Sequence, residues 1–226
     1  MPPGGPAPRT GDGHPDLSGV WFPGSAGGGR FTGFPSNEKP AFQPWAAAKM
    51  QSMTAAELEL ARPSVNCLPR GTPGMWLLNP YPTKLVQTPG ELIQLNELNT
   101  NFRIIHTDGR PHTKNPDPTF VGDATAHWEG DTLIIDVIAI DERTWNNFVG
   151  WFHSDQEHVI ERLTRPSENY LIYQVTIEDP KVLTKPWTSS RQQWSLGHED
   201  LEEYYCTNNH ELEQYKSLIQ TESNSK

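Results

Sequence analysis

Through much of the second half of the chain, apolar and polar residues alternate with a period of two. That spacing predicts strands with two distinct faces. In Thr132–Ile140 one face carries Leu133, Ile135, Val137 and Ala139, and the other Thr132, Ile134, Asp136, Ile138 and Ile140. His158–Arg165 sets His158, Ile160, Arg162 and Thr164 against Val159, Glu161 and Leu163. Tyr170–Glu178 sets Leu171, Tyr173, Val175 and Ile177 against Tyr170, Ile172, Gln174 and Thr176. Ala124–Glu129 places Thr125, His127 and Glu129 together, opposite Ala126 and Trp128. Further strands are expected at Asp16–Phe22, Lys84–Thr88, Glu91–Leu98, Phe102–Thr107, Arg191–Leu196 and Leu201–Cys206.

Turn chemistry joins these runs. Pro89-Gly90, Asp108-Gly109 and Glu129-Gly130-Asp131 supply the residues that tight hairpins need. Short strands in succession, without intervening crossover helices, predict a meander that closes into a barrel or sandwich. Helices are expected at Pro44 to about Met53 and, from the Thr54-Ala55-Ala56-Glu57 capping box, to about Ala61. A last helix is expected at His210–Ile219, and 63–82 reads as a Pro-rich connection. The predicted fold is an all-β, mainly antiparallel, calycin/lipocalin-like barrel, with short helices before the main sheet and at the C-terminus. Residues 1–16 read as a mobile tail, 17–219 as one domain, and 220–226 as a second tail.

Composition narrows the function. The chain has 226 residues and a formal net charge of −10. No basic stripe is present, which argues against nucleic-acid binding. No apolar run reaches the ~18–20 residues of a membrane span. Residues 1–16 hold no apolar signal segment, so they read as a mature N-terminus with an added Met, or the chain is cytosolic. Cys67 and Cys206 form no metal-binding pair. A bridge between them is favoured over two buried thiols; it would stabilise the fold by ~2–4 kcal/mol. That favours a secreted or periplasmic setting.

Titratable and aromatic residues crowd the segment Trp145–Arg162, with His153, Asp155, His158, Glu161 and Arg162 beside Trp145, Phe148, Trp151 and Phe152. Histidine exchanges protons near neutral pH, and a carboxylate beside it fixes its tautomer. A second cluster is His106, Asp108, Arg110 and His112; His127 stands with Thr125 and Glu129. Asp136, read as buried among isoleucines, needs a partner such as Arg103 or Arg162, or else has a raised pKa. His153 and His158 are five apart, which is not same-face strand spacing, and no His-Glu-x-x-His occurs. Neither a metal nor a redox cofactor is expected. No Gly-x-Ser-x-Gly elbow, Walker loop or dinucleotide fingerprint is present, and Gly27-Gly28-Gly29-Arg30 lacks the strand–helix context of a phosphate loop.

Gly19-Val20-Trp21, after Asp16-Leu17-Ser18, is similar to the Gly-x-Trp opening of lipocalins and other calycins. His14-Pro15-Asp16-Leu17-Ser18-Gly19-Val20-Trp21, Cys67-Leu68-Pro69-Arg70-Gly71, Asp108-Gly109-Arg110-Pro111-His112 and Trp128-Glu129-Gly130-Asp131-Thr132-Leu133 go further. With Thr144-Trp145 and Lys185-Pro186-Trp187, they resemble a group of secreted, mostly uncharacterised bacterial proteins frequent in Acidobacteria-like genomes. That resemblance spans roughly residues 9–210 and implies no assigned activity. Barrel proteins that dehydrate and cyclise tropolones by hetero-Diels–Alder chemistry offer a precedent for cofactor-free catalysis.

The expected function is acid–base chemistry on an apolar or aromatic small molecule inside the barrel: dehydration, isomerisation or cyclisation. His153 or His158 would be the acid/base, and Asp136 or Glu161 the orienting carboxylate. Trp145, Trp151, Phe148, His127, Arg110 and Tyr173 would contact substrate. The alternative is a non-catalytic, lipocalin-like carrier. The oligomeric state stays open, a homodimer included.

Overall fold

The computed structural model describes residues 4–23, 36, 38–147 and 150–206. Its strands are β1 (Gly19–Pro23), β2 (Thr83–Thr88), β3 (Glu91–Asn96), β4 (Asn101–His106), β5 (Asp123–Glu129), β6 (Thr132–Ile138), β7 (His158–Ser167), β8 (Tyr170–Glu178), β9 (Trp187–Thr188) and β10 (Gln192–Gly197). The helices α1 (Pro44–Ser52), α2 (Ala55–Ala61) and α3 (Gly74–Leu77) all lie between β1 and β2. The strands run in sequence order from β1 to β8. β10 pairs with both β8 and β1 and closes a nine-stranded barrel. β10 takes the first half of β8, and β9 pairs with its far half at Thr176 and Ile177.

The barrel is mixed rather than purely antiparallel. β4 and β5 run parallel, in register at His106 and Thr125. Asp108-Gly109, expected to make a hairpin, instead begins a long return loop, 107–122. Parallel neighbours require the chain to travel back before pairing. That loop carries His112 across the outer wall, so the one parallel step brings a distant imidazole to β5 and β6.

The alternation separates the two faces of β7 and β8 as expected, but His158, expected to act inside the barrel, lies on the outward face. Val159, Glu161, Leu163, Leu171, Tyr173, Val175 and Ile177 point inward and are buried. On β6, Leu133, Ile135 and Val137 do the same. β6 ends two residues earlier than expected, because Ala139 has φ 55° and breaks the extended chain. Leu201–Cys206 is not a strand. The expected helix at His210–Ile219 and the segment Gly27-Gly28-Gly29-Arg30 lie outside the described residues.

The segment expected to be a featureless Pro-rich connection contains α3, all four of whose residues are buried. Trp76 stacks on Tyr173 at 5.1 Å and meets the edge of Trp194 at 4.8 Å. Packed aromatic rings, rather than an open cavity, therefore fill the lumen around Tyr173. Residues 9–16 also depart from the expected tail. Arg9 makes a two-pronged ion pair with Asp131 at 2.7 and 2.9 Å, and His14 lies flat on Trp128 at 4.6 Å. Leu17 is fully buried, with Trp21 Nε1 donating to its carbonyl at 2.9 Å. The α2 capping box is present: Thr54 Oγ1 accepts from Glu57 N, and Glu57 accepts from Thr54 N.

Candidate functional site

The four residues expected to perform chemistry fall in three places. Glu161 belongs to the interior. Its Oε2 accepts from Arg103 Nη1 at 2.7 Å, and its Oε1 accepts from the Tyr173 hydroxyl at 2.9 Å. Arg103 also donates to Thr72 Oγ1 at 3.0 Å and Gln94 Oε1 at 2.8 Å. Arg103 and Glu161 are sealed from solvent. Burial pushes the Tyr173 phenol well above its usual pKa, with the Glu161 carboxylate adding to the effect. The pair is buried and bonded to Thr72, Gln94 and Tyr173, with only Arg103 Nε left without a partner among the described residues of this network, and it is a structural unit. Arg103 thus serves Glu161 and not Asp136, while Arg162 reaches Thr176 Oγ1 at 3.3 Å.

His153 sits in a second buried group, formed by the crossing between β6 and β7. Its Nε2 pairs with Thr144 Oγ1 at 2.8 Å. Glu157 lies 3.8 Å from His153 Nδ1 and accepts from Asn146 Nδ2 at 2.5 Å. Burial raises the Glu157 carboxyl to about 7. Its Oε1 has no hydrogen-bond partner among the described residues, in keeping with a carboxyl that retains its proton. Ser154 and Asp179 brace the same crossing through bonds of 2.7 and 2.8 Å.

The remaining two residues meet on the outer wall. Asp136 was expected to be buried and either paired with an arginine such as Arg103 or Arg162 or raised in pKa; it is half-exposed, its partners are imidazoles, and its pKa is lowered. The first cause is the hydrogen bond from His158; a bond from His112 adds to it against partial burial. Asp136 Oδ1 lies 2.9 Å from His158 Nε2 and 3.0 Å from His112 Nε2. Neither bond uses Oδ2. The far nitrogens are also held: His158 Nδ1 by Glu178 Oε2 at 3.2 Å, and His112 Nδ1 by Asp123 Oδ2 at 3.2 Å. The bond to Asp136, opposed by burial and aided by Glu178, raises the His158 pKa above its ordinary value. The result is an unbroken line: Asp123, His112, Asp136, His158, Glu178.

Each member has a local cause. His158 faces Glu178 across the β7–β8 register. Asp123 opens β5 opposite Ile138, one pleat from Asp136. The return loop delivers His112, and Thr113 N fixes the loop by donating to Asp123 Oδ2 at 2.7 Å. Among the described residues, no group of three or more His, Cys, Asp or Glu side chains is arranged to hold a metal ion.

The other expected contacts scatter. His127 is exposed on the outer face and lies 3.4 Å from Glu129. Arg110 is exposed and clasps Asp108 at 2.6 Å, which holds that carboxyl down to about 2. Tyr173 and Trp151 are core residues; Trp151 meets Trp187 edge-on at 5.0 Å. Trp145 lines a separate small cavity beside Arg70. Phe148 lies outside the described residues. Sequence reasoning missed a cavity of about 200 Å³ at the barrel end marked by the β2–β3 turn, where Asp12, His14 and Trp128 stand over Leu92 and Leu133.

Cys67 and Cys206 form a disulfide, with Cα atoms 5.5 Å apart. No described helix is long and apolar enough to cross a membrane. Comparisons with protein-family models, curated proteins and solved structures returned no match.

Proposed function

We propose that the protein is a cofactor-independent acid–base enzyme acting on small apolar or aromatic molecules, with its reacting groups on the outer wall at Asp136, His112 and His158. The observation that carries this reading is the single carboxylate oxygen shared by two imidazoles, each backed by a second carboxylate. The two bonds orient Asp136 and leave Oδ2 to accept a proton. His158, its pKa raised, is the matching proton donor near neutral pH. In a dehydration, Oδ2 removes the proton alpha to a carbonyl, the carbon–oxygen bond to the β-hydroxyl breaks, and the Nδ1–H of His158, exchanging its long bond to Glu178 for one to the substrate, protonates the departing oxygen to give water. Isomerisation needs the same two groups without the leaving step.

The aldol of benzaldehyde and acetone is a direct probe, because its dehydration to the conjugated enone is read by ultraviolet absorbance. The wild-type protein should accelerate this reaction above an equal concentration of free imidazole, and Asp136→Asn should remove the acceleration. Equal rates for both proteins would reject the assignment. The disulfide supports an exported or otherwise oxidising location, since such bonds persist there.

The end cavity favours a second reading, that of a carrier. A volume of about 200 Å³, with an indole and imidazole at its rim, suits a small aromatic molecule. Indole binding that weakens in Trp128→Leu, with no turnover of any β-hydroxy ketone, would select it.

A further inference from the structure

The outer wall carries a charged group that the acid–base line does not use. Arg162 stands on β7 on the same outward face as His158, with Ile160 between them. Asp136 of β6 pairs with Ile160, so His158 and Arg162 flank it on the two diagonals. Diagonal neighbours in an antiparallel pair lie about 7–8 Å apart, within reach of long side chains. Thr176 of β8 faces Ile160 from the other side. Arg162 Nη1 donates to Thr176 Oγ1 at 3.3 Å, so the guanidinium leans toward the Asp136–Ile160–Thr176 row.

This guanidinium is held differently from others on the surface. Arg9, Arg110 and Arg143 each hold an aspartate at 2.6 or 2.7 Å. Among the described residues the Arg162 side chain forms no ion pair, and its hydrogen bond is to a neutral hydroxyl, which leaves the charge uncancelled. The carboxylates of the same face are engaged elsewhere: Asp136 by both imidazoles, Glu178 by His158, and Asp123 by His112 and Thr113 N. A guanidinium presents a planar fork that matches a carboxylate through two parallel bonds.

Along β7 the outward order is therefore proton donor, apolar spacer, cation, with the base facing the spacer from β6. Ile160, partly exposed, is the spacer and offers an apolar floor. Glu178 pairs with His158, and Asp123 pairs with Ile138 beyond Asp136, so both carboxylates lie at the His158 end. A negative charge held at Arg162 stays clear of them and meets Asp136 alone.

We propose that Arg162 anchors substrate at the outer-wall site and selects molecules in which an apolar or aromatic body carries a carboxylate. The carboxylate pairs with the Arg162 fork, the hydrocarbon part lies on Ile160, and the reacting carbon comes to Asp136 Oδ2 and His158. The inference rests on the acid–base reading of this wall and narrows its substrates to organic acids.

The probe is 3-phenylpropanoate, and 3-phenylpropanamide is its uncharged counterpart. Each is titrated into the full chain at constant ionic strength while the His158 and Trp128 ring resonances are followed by NMR. The acid should give a saturable shift at His158 that the amide does not give, with Trp128 left in place. Arg162→Gln should weaken the acid by about tenfold, the scale of one charge-assisted pairing. Arg162→Lys should recover part of that loss, because the charge remains and the fork is gone. Asp136→Asn should keep or tighten the affinity, since it removes the one carboxylate the bound acid meets. The uncharged aldol of benzaldehyde and acetone reports the chemistry alone: no enone from the wild type, with binding intact, sinks the acid–base reading and leaves the anchor standing. An equal response to the amide, unchanged affinity in Arg162→Gln, a shift confined to Trp128, or no saturable shift overturns the anchor whatever the enone assay gives. If Arg162→Gln is unfolded, Arg162→Lys and the amide comparison decide.

Discussion

Two chains of ionisable groups run through this molecule, one inside the barrel and one on its wall. Inside, Arg103, Glu161 and Tyr173 are sealed from solvent and bond to one another and to Thr72 and Gln94. Outside, Asp123, His112, Asp136, His158 and Glu178 form a longer line that remains partly open to water. The inner pair is built on a guanidinium and closed to water. The outer line is built on imidazoles, the side chains suited to proton transfer near neutral pH. Hydrogen-bonded carboxylates alone therefore do not mark chemistry. What distinguishes the wall is solvent access combined with groups that titrate near neutral pH.

The largest expected effect tests the structural half of this contrast. Glu161→Ala or Arg103→Met leaves one charge or its neighbours unpaired in the interior, and should cost about 3–5 kcal/mol in urea unfolding. A loss no greater than that of a wall variant would erase the distinction. The disulfide comes next. Cys67→Ser with Cys206→Ser should cost about 2–4 kcal/mol, read as a lower unfolding midpoint that a reductant no longer changes.

Glu157 offers a buried acid with the opposite pH signature. Its folded pKa of about 7 exceeds the ordinary 4.5. The unfolded chain releases this proton first as pH rises, so stability falls from about 4.5 upward and the loss is complete above about 7. Its size is about 3 kcal/mol. Glu157→Gln should be close to neutral at pH 4 and stabilising at pH 8, as measured by thermal unfolding at both. An unchanged pH slope would show that this carboxyl ionises freely.

The smallest stability effect belongs to the wall. The lowered Asp136 contributes fully above its ordinary value of 3.8, and that contribution is lost as pH falls through its folded value. The raised His158 contributes fully below its ordinary 6.5 and loses it as pH rises through its folded value. The pair is therefore most stabilising between those ordinary values. Because the groups are partly exposed, Asp136→Asn should cost less than about 1 kcal/mol, while abolishing the proposed turnover. A large stability loss would make Asp136 a structural residue.

The strand faces were legible because one-sided burial imposes alternation. It separated Glu161 from His158 on β7, but the face with His158, expected to offer an acid/base inside the barrel, is the outer one. The environment of Asp136 was not legible. Ile134 and Ile138 made its face look buried, whereas it is the outer wall, only partly covered. Its partner His112 arrives on a loop whose Asp108-Gly109 start mimics a hairpin, and the parallel β4–β5 pairing leaves no local mark. α3 was missed because four residues are too few to show a helical period. Asp12 and His14 were missed because Pro and Gly around them resemble a tail, while the contacts that hold this segment to the barrel are distant in sequence, Trp128 under His14 and Asp131 on Arg9.

The account rests on Asp136 holding His158 as a proton donor on the wall. A pH titration of the His158 ring resonances by NMR, in the wild type and in Asp136→Asn, measures this directly. The wild-type midpoint should lie above 6.5, and should fall in the variant while the Trp76 and Tyr173 signals stay in place. A midpoint at or below the ordinary value, unmoved by the substitution, would contradict it.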